Sequence, residues 1–80
     1  MAQTKGEYRV GITFNPSASG IVDEIKRKAA DLIDLIEGIP SDRESERGNE
    51  SGRLKALAQT EVESAAMWAV KAATKPERTE

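Results

Sequence analysis

Cysteine and histidine are both missing from the 80 residues. Without cysteine no disulfide can staple the chain, and a thiolate zinc site is excluded. Without histidine any metal site would be all-oxygen, and the usual base of a nucleophilic triad is lacking. Aromatic residues are nearly as scarce, with one tryptophan, one tyrosine and one phenylalanine. No apolar run approaches the ~20 residues of a membrane span, and the polar N-terminus is unlike a signal peptide. A soluble protein of the cytoplasm that makes no use of a membrane is therefore expected. Twelve basic residues against fourteen acidic ones give a net charge of -2. That balance lacks the basic footprint of a general binder of nucleic acid polymers. No glycine-rich phosphate loop follows a strand pattern, and paired carboxylates do not face one another. A non-enzymatic protein without a cofactor is the expectation.

What the chain does have is helix. Residues 54–74, LKALAQTEVESAAMWAVKAAT, contain no proline or glycine and are rich in alanine, which predicts about six helical turns. Leu54, Ala58, Val62, Ala65, Trp68, Ala69 and Ala72 line one side, while Leu57, Ala66, Met67, Val70 and Ala73 spread around the rest. A helix apolar through most of its circumference needs more than one neighbour. Its small residues allow close approach, and Trp68 is the one large plug. Glu61 falls on the packing side, where a carboxylate needs a partner from another helix or subunit. A chain this short struggles to bury enough surface alone, so a homo-oligomer is predicted.

The rest of the sequence reads as a single domain in five parts. An arm and turn occupy 1–20, with 1–6 frayed and 7–14 either extended or a single turn laid across a partner, since no second strand exists to pair with the loose alternation of EYRVGITF. Asn15-Pro16-Ser17-Ala18-Ser19-Gly20 is a turn cluster in which proline forces Asn15 out of the helical region. The first helix runs over 21–37, with Val22, Ile25, Ala29, Leu32 and Ile36 as its packed face. Gly38 is placed at C′, with Pro40 beyond it. The connector, 38–52, is charged and punctuated by Gly48 and Gly52, so it is expected to be exposed and mobile. Within it Ser41-Asp42-Arg43-Glu44 matches a capping box from which a turn or two of helix can begin, and Ser51 can cap the second helix, 53–74. A charged tail fills 75–80. The fold class is all-α: an antiparallel helical hairpin with a short N-terminal arm.

Binding is the chemistry these residues leave open. Phe14 offers a stacking surface, Asn15-Pro16-Ser17 a turn beside a helix start, and Lys26 a cation about one and a half turns further on. Each has a plainer reading. Phe14 before a proline turn can instead be a hydrophobic staple, which spacing alone favours. Lys26 can be a solvated surface lysine. Tyr8 and Arg9 can be a stacking and a phosphate contact or parts of a loose arm. Trp68 and Met67 read as core or interface.

The Phe14-Asn15-Pro16 turn, Ile25-Lys26 in the first helix, and the second-helix run from Ala56 through Met67-Trp68-Ala69 together carry a resemblance. The chain resembles a family of small phage proteins that includes sponges against CBASS, the bacterial cyclic-oligonucleotide defence system. A related hairpin domain occurs in phage sponges that counter Thoeris defence. The likeness covers residues 10–73, with a connector that looks longer and more glycine-rich than in relatives. It implies homohexamers of helical hairpins in the cytoplasm of the infected bacterium. These would sequester cyclic dinucleotides such as cyclic GMP-AMP, and cyclic trinucleotides, without cleaving them. By motif position it implies that Phe14 stacks on a base and Lys26 meets a phosphate, the aromatic commonly being tyrosine in relatives. Pro16 and Ser17 join them at the rim, and Tyr8, Arg9, Asn15 and Lys71 are further contacts chosen for their chemistry.

A second reading comes from a different class. The broad apolar helix face could serve a helical protein–protein interaction module that inhibits a host protein. A sponge hides the Trp68 face in its own oligomer, whereas such a module keeps it open for its partner.

Overall fold

In the computed structural model, which describes residues 2–78, the fold begins at Thr4. Its hydroxyl accepts the Glu7 amide at 3.1 Å, and the Glu7 carboxylate accepts the Thr4 amide at 2.9 Å. This reciprocal cap satisfies two of the amides that a helix start leaves open. Helix α1, Lys5–Val10, follows and stops at Gly11, whose φ of 63° is left-handed. Glycine reaches that conformation without a Cβ clash. The N-terminal segment is thus neither frayed nor extended but helical from Lys5, longer than the single turn that was the other expectation, because the Thr-x-x-Glu cap outweighs the loose alternation after it. Met1, and the last two residues of the expected tail, lie outside the described residues.

Helix α2 is Gly20–Glu37, and helix α3 is Glu46–Ala73. Gly38 caps α2 in the right-handed region, φ -74°, and not as the left-handed C′ residue its identity suggested. The connector is shorter than expected. Ser45, and not Ser41 or Ser51, is the N-cap of α3, its hydroxyl accepting the Gly48 amide at 2.9 Å. Asp42 organises this start: its carboxylate accepts the amides of Glu44 and Ser45 and the Ser45 hydroxyl. Those donors, the Glu44 amide foremost, hold its carboxyl below the usual value. Gly48 is buried under Asp42, so closely that a Cβ there would lie 2.2 Å from the Asp42 carbonyl oxygen. The glycine that looked like a mark of mobility is a packing contact.

α2 and α3 run antiparallel. Lys55 on α3 donates to the Ile39 carbonyl, and Gln59, one turn on, donates to the Ile33 carbonyl at 3.1 Å. α1 lies against α2 in the opposite direction to it, with Lys5 at Glu37, Gly6 at Ala30 and Asp34, and Glu7 at Arg27. The closest approach is at Gly6. Its amide donates to Asp34 Oδ1 at 2.7 Å, and a Cβ there would sit 2.1 Å from the Ala30 carbonyl oxygen.

Among the described residues the buried apolar ones are Val22, Ala30, Ile33 and Ala66. The buried edge of α2 therefore runs through Val22, Lys26, Ala30 and Ile33, rotated from the stripe the spacing predicted, and Leu32 is exposed. On α3 the inward positions are Gln59 and Ala66, while Glu61 is exposed and has no ion pair or side-chain hydrogen bond among the described residues. The expectation that Glu61 is held by another helix of its own chain is overturned. Gln59 takes the central place instead, only 1 % exposed. Its amide donates to the Ile33 carbonyl and to Glu37 Oε1, and its oxygen accepts Lys5 Nζ, so one side chain joins all three helices. A buried amide this fully paired avoids the penalty of an unmet polar group, ~1–3 kcal/mol.

The Cα atoms span 57 × 33 × 13 Å, with a radius of gyration of 15.5 Å. A compact 80-residue domain would have a radius near 12 Å. The accessible surface is 6246 Å², against about 4,700 Å² for a compact monomer of this mass. The chain is little more than one layer of helices deep. Leu35, Leu54, Leu57, Met67 and Trp68 are each about half exposed or more.

Two predictions follow from the packing of α1. Gly6→Ala sets a methyl against backbone and should cost about 3 kcal/mol, read as a drop in the urea midpoint. Glu37 is held down to about 2 from 4.5, first by the Lys5 ammonium and then by Gln59. Its contribution is fully present above the ordinary value and is lost as pH falls toward about 2. Urea midpoints taken across that range should fall more steeply for the wild type than for Glu37→Gln, and less so in high salt because the pair is half exposed.

Candidate functional site

The turn after α1 carries the first element of the site. The Phe14 amide donates to the Gly11 carbonyl at 2.9 Å, closing residues 11–14 into a turn, and the Ile12 amide bonds to the Glu7 carbonyl at 3.0 Å. A second turn follows at once, closed by the Ala18 amide on the Asn15 carbonyl at 3.1 Å. Pro16 sits at its second position, where a fixed φ suits the turn. Asn15 locks it to α2 by donating to the Ser19 carbonyl at 2.8 Å and to Asp23 Oδ1 at 2.9 Å. The Ser17 hydroxyl donates to Asn15 Oδ1 at 2.7 Å and accepts the Ser19 amide. Ala18 then has φ 55°, a left-handed conformation costing a non-glycine residue about 1–2 kcal/mol. Asn15, Pro16 and Ser17 thus build the loop, and Asn15 and Ser17 spend their polar atoms on it.

Phe14 stands outside this frame. Its side chain is 70 % exposed, so it is not a staple buried on α2. The Lys26 ammonium lies 5.3 Å from the ring centroid. Lys26 itself is 7 % exposed and donates to the Gly11 carbonyl at 3.0 Å and to the Phe14 carbonyl. It is neither a solvated surface lysine nor a free cation. With two N–H groups occupied, its third and its charge are what remain for a ligand.

Lys26 also lines a groove of about 300 Å³ between α1 and the second half of α3. Val10, Ala66, Met67 and Val70 form its apolar floor, and Arg9 and Glu63 its polar wall. Arg9 is anchored: its Nε donates to Glu63 Oε1 at 2.7 Å, and Nη2 reaches Thr60 Oγ1 at 3.4 Å. Tyr8, by contrast, is 78 % exposed on the outer side of α1. Lys71 lies over the exposed Trp68 ring, 5.5 Å from its centroid, and does not line the groove. Phe14, Lys26 and the Asn15–Ser17 loop are therefore brought together, Arg9 is joined to Lys26 across the groove, and Tyr8 and Lys71 stand apart. Gly11 and Glu63 are the residues sequence reasoning missed. Neither carries a local signal, since Gly11 matters through its carbonyl and Glu63 through a cation 54 positions earlier.

Among the described residues no three acidic side chains come together as a metal set, and no helix is long and apolar enough to cross a membrane. What the arrangement can do is bind: an exposed aromatic face over a held cation, beside a groove with an apolar floor, suits a planar group carrying negative charge.

No curated protein and no solved structure matches the chain significantly. The protein-family description Acb2/Tad1, hairpin domain, matches residues 6–74, a span that takes in all of α2 and α3 and most of α1. The chain belongs to this Acb2/Tad1 hairpin-domain family, the anti-CBASS and anti-Thoeris sponges of phages that take up cyclic nucleotide signals.

Proposed function

We propose that this protein is an anti-CBASS sponge that sequesters cyclic dinucleotides such as cyclic GMP-AMP, and also cyclic trinucleotides, in the cytoplasm of the infected bacterium, without cleaving them. The observation that carries this reading is the pairing of an exposed Phe14 ring with the ammonium of Lys26, a residue that also lines the groove. Phe14 would stack on a base and Lys26 would meet a phosphate, with Asn15, Pro16 and Ser17 as the rim and Arg9 as a second cation. Tyr8 and Lys71 do not line the groove, and a neighbouring copy would be the route by which they meet a ligand.

Two considerations bring in a second copy. A groove of about 300 Å³ lies at the small end of ligand pockets, ~300–1,000 Å³, and suits one half of a cyclic dinucleotide. The ligand has two bases and two phosphates, so a two-fold pair of chains would supply the aromatic and the cation twice. Each base–aromatic stack contributes ~1–3 kcal/mol, and each partly desolvated phosphate contact ~1.5–3 kcal/mol. A homo-oligomer, a hexamer by family likeness, would also cover the Trp68 side of α3. Holding back a signal requires affinity and abundance only, so no catalytic group is needed.

Calorimetry with cyclic GMP-AMP tests the site. Phe14→Tyr should bind like the wild type, whereas Phe14→Ala should lose ~10-fold or more, the size of one stack. Unchanged affinity in Phe14→Ala would place the ligand elsewhere. Light scattering tests the assembly. The wild type should be oligomeric at micromolar concentration, and Trp68→Ala should shift it toward smaller species with helical circular dichroism retained. A wild type that stays monomeric, with Trp68 open to quenchers, would instead favour the interaction-module reading.

A further inference from the structure

Lys26 is tied to the backbone in a way that a phosphate-binding lysine does not require. The carbonyls it grips, those of Gly11 and Phe14, belong to the first and last residues of one four-residue turn. That turn is spanned by a backbone bond, Phe14 amide to Gly11 carbonyl at 2.9 Å. The ammonium therefore bridges its two ends from below. The stem of Lys26 is buried on α2 one turn before Ala30, the residue that touches Gly6. The anchor of the bridge thus belongs to the same contact that docks α1.

Phe14 needs such a bridge. Its ring is 70 % exposed, so packing does little to hold it. The start of the turn is tied to α1 through the Ile12 amide. Among the described residues, Phe14's own amide and carbonyl bond only to Gly11 and Lys26, although the next residue, Asn15, is tied to α2 through Ser19 and Asp23.

We infer that Lys26 is a positioning residue, which staples the turn 11–14 shut and fixes the direction of the Phe14 ring before any ligand arrives. The consequence for ligand binding rests on the sponge reading. An exposed aromatic held in advance loses little freedom when a base stacks on it, and this lowers the cost of association. Removing Lys26 would then weaken stacking as well as phosphate contact, so the two effects are coupled in one side chain.

The test is made on the ligand-free protein. Phe14 is the one phenylalanine in the chain, so 4-fluorophenylalanine gives a single fluorine resonance from the turn. Lys26→Met keeps the apolar stem and removes the donors. In that variant exchange of the Phe14 amide should quicken by about tenfold, the size of one lost hydrogen bond. The fluorine signal should narrow and move toward its unfolded position, while amides of α2 and α3 keep their protection. Lys26→Arg, which keeps charge and donors, should restore most of the Phe14 protection. A Phe14 amide and fluorine signal unchanged in Lys26→Met would overturn the inference. Should that variant not fold, the wild type still decides. The Lys26 ammonium protons should exchange about tenfold slower than those of exposed Lys28, and equal rates would contradict the staple. Titration with cyclic GMP-AMP is a separate readout. A wild type that binds nothing, while its turn loosens in Lys26→Met, overturns the sponge reading and leaves the staple standing.

Discussion

The contact between Gly6 and Ala30 sets the position of everything at the Phe14–Lys26 end of this molecule. A helix of only six residues has little stability of its own. It persists here because its backbone can lie directly on α2, with the Gly6 amide satisfied by Asp34. Lys5 and Glu7 then close ion pairs on either side of that contact. With α1 fixed, Gly11 falls over Lys26 and Arg9 falls beside Glu63. The turn and the groove wall are both consequences of one close backbone approach.

The second constraint is thinness. Among the described residues Val22 and Ile33 are the large aliphatic side chains that are fully buried, each contributing ~1.5–3 kcal/mol. The centre that would hold more apolar volume in a thicker domain is occupied by Gln59, whose bonds to Ile33, Glu37 and Lys5 make the crossing specific. Such a chain leaves the apolar residues of α3 without cover. That is a liability for a monomer and a natural starting point for an assembly. In the proposed sponge the same thinness brings a ligand between two copies within reach of both.

Much of this was legible in the sequence, for reasons that differ from element to element. The two long helices follow from alanine-rich, proline-free periodic segments, and the hairpin from the single break around Pro40. The uncovered Trp68 side follows from a helix apolar through most of its circumference. The helix start at Glu46 did not follow, because Gly48 and Gly52 lower helix propensity. What overrides them is tertiary: Asp42 and Ser45 cap the start, and the Asp42 carbonyl fills the space over Gly48. Gln59 and not Glu61 is the inward polar residue because an apolar stripe so broad does not fix the rotation of α3. Phe14 and Lys26 could be singled out by type and spacing. That the lysine is buried beneath the aromatic turn depends on where α1 docks, and Gly6 gives no sequence sign of that contact.

Sequestration without turnover is the central claim, and recovery of the bound ligand tests it most directly. Purified protein would be incubated with a panel of cyclic di- and trinucleotides, separated from free ligand, denatured, and the released material identified by chromatography. The account predicts that intact cyclic nucleotide returns in stoichiometric amount after the protein is destroyed. A linear product would contradict it by showing catalysis, and the absence of any retained cyclic nucleotide would contradict it by showing no capture.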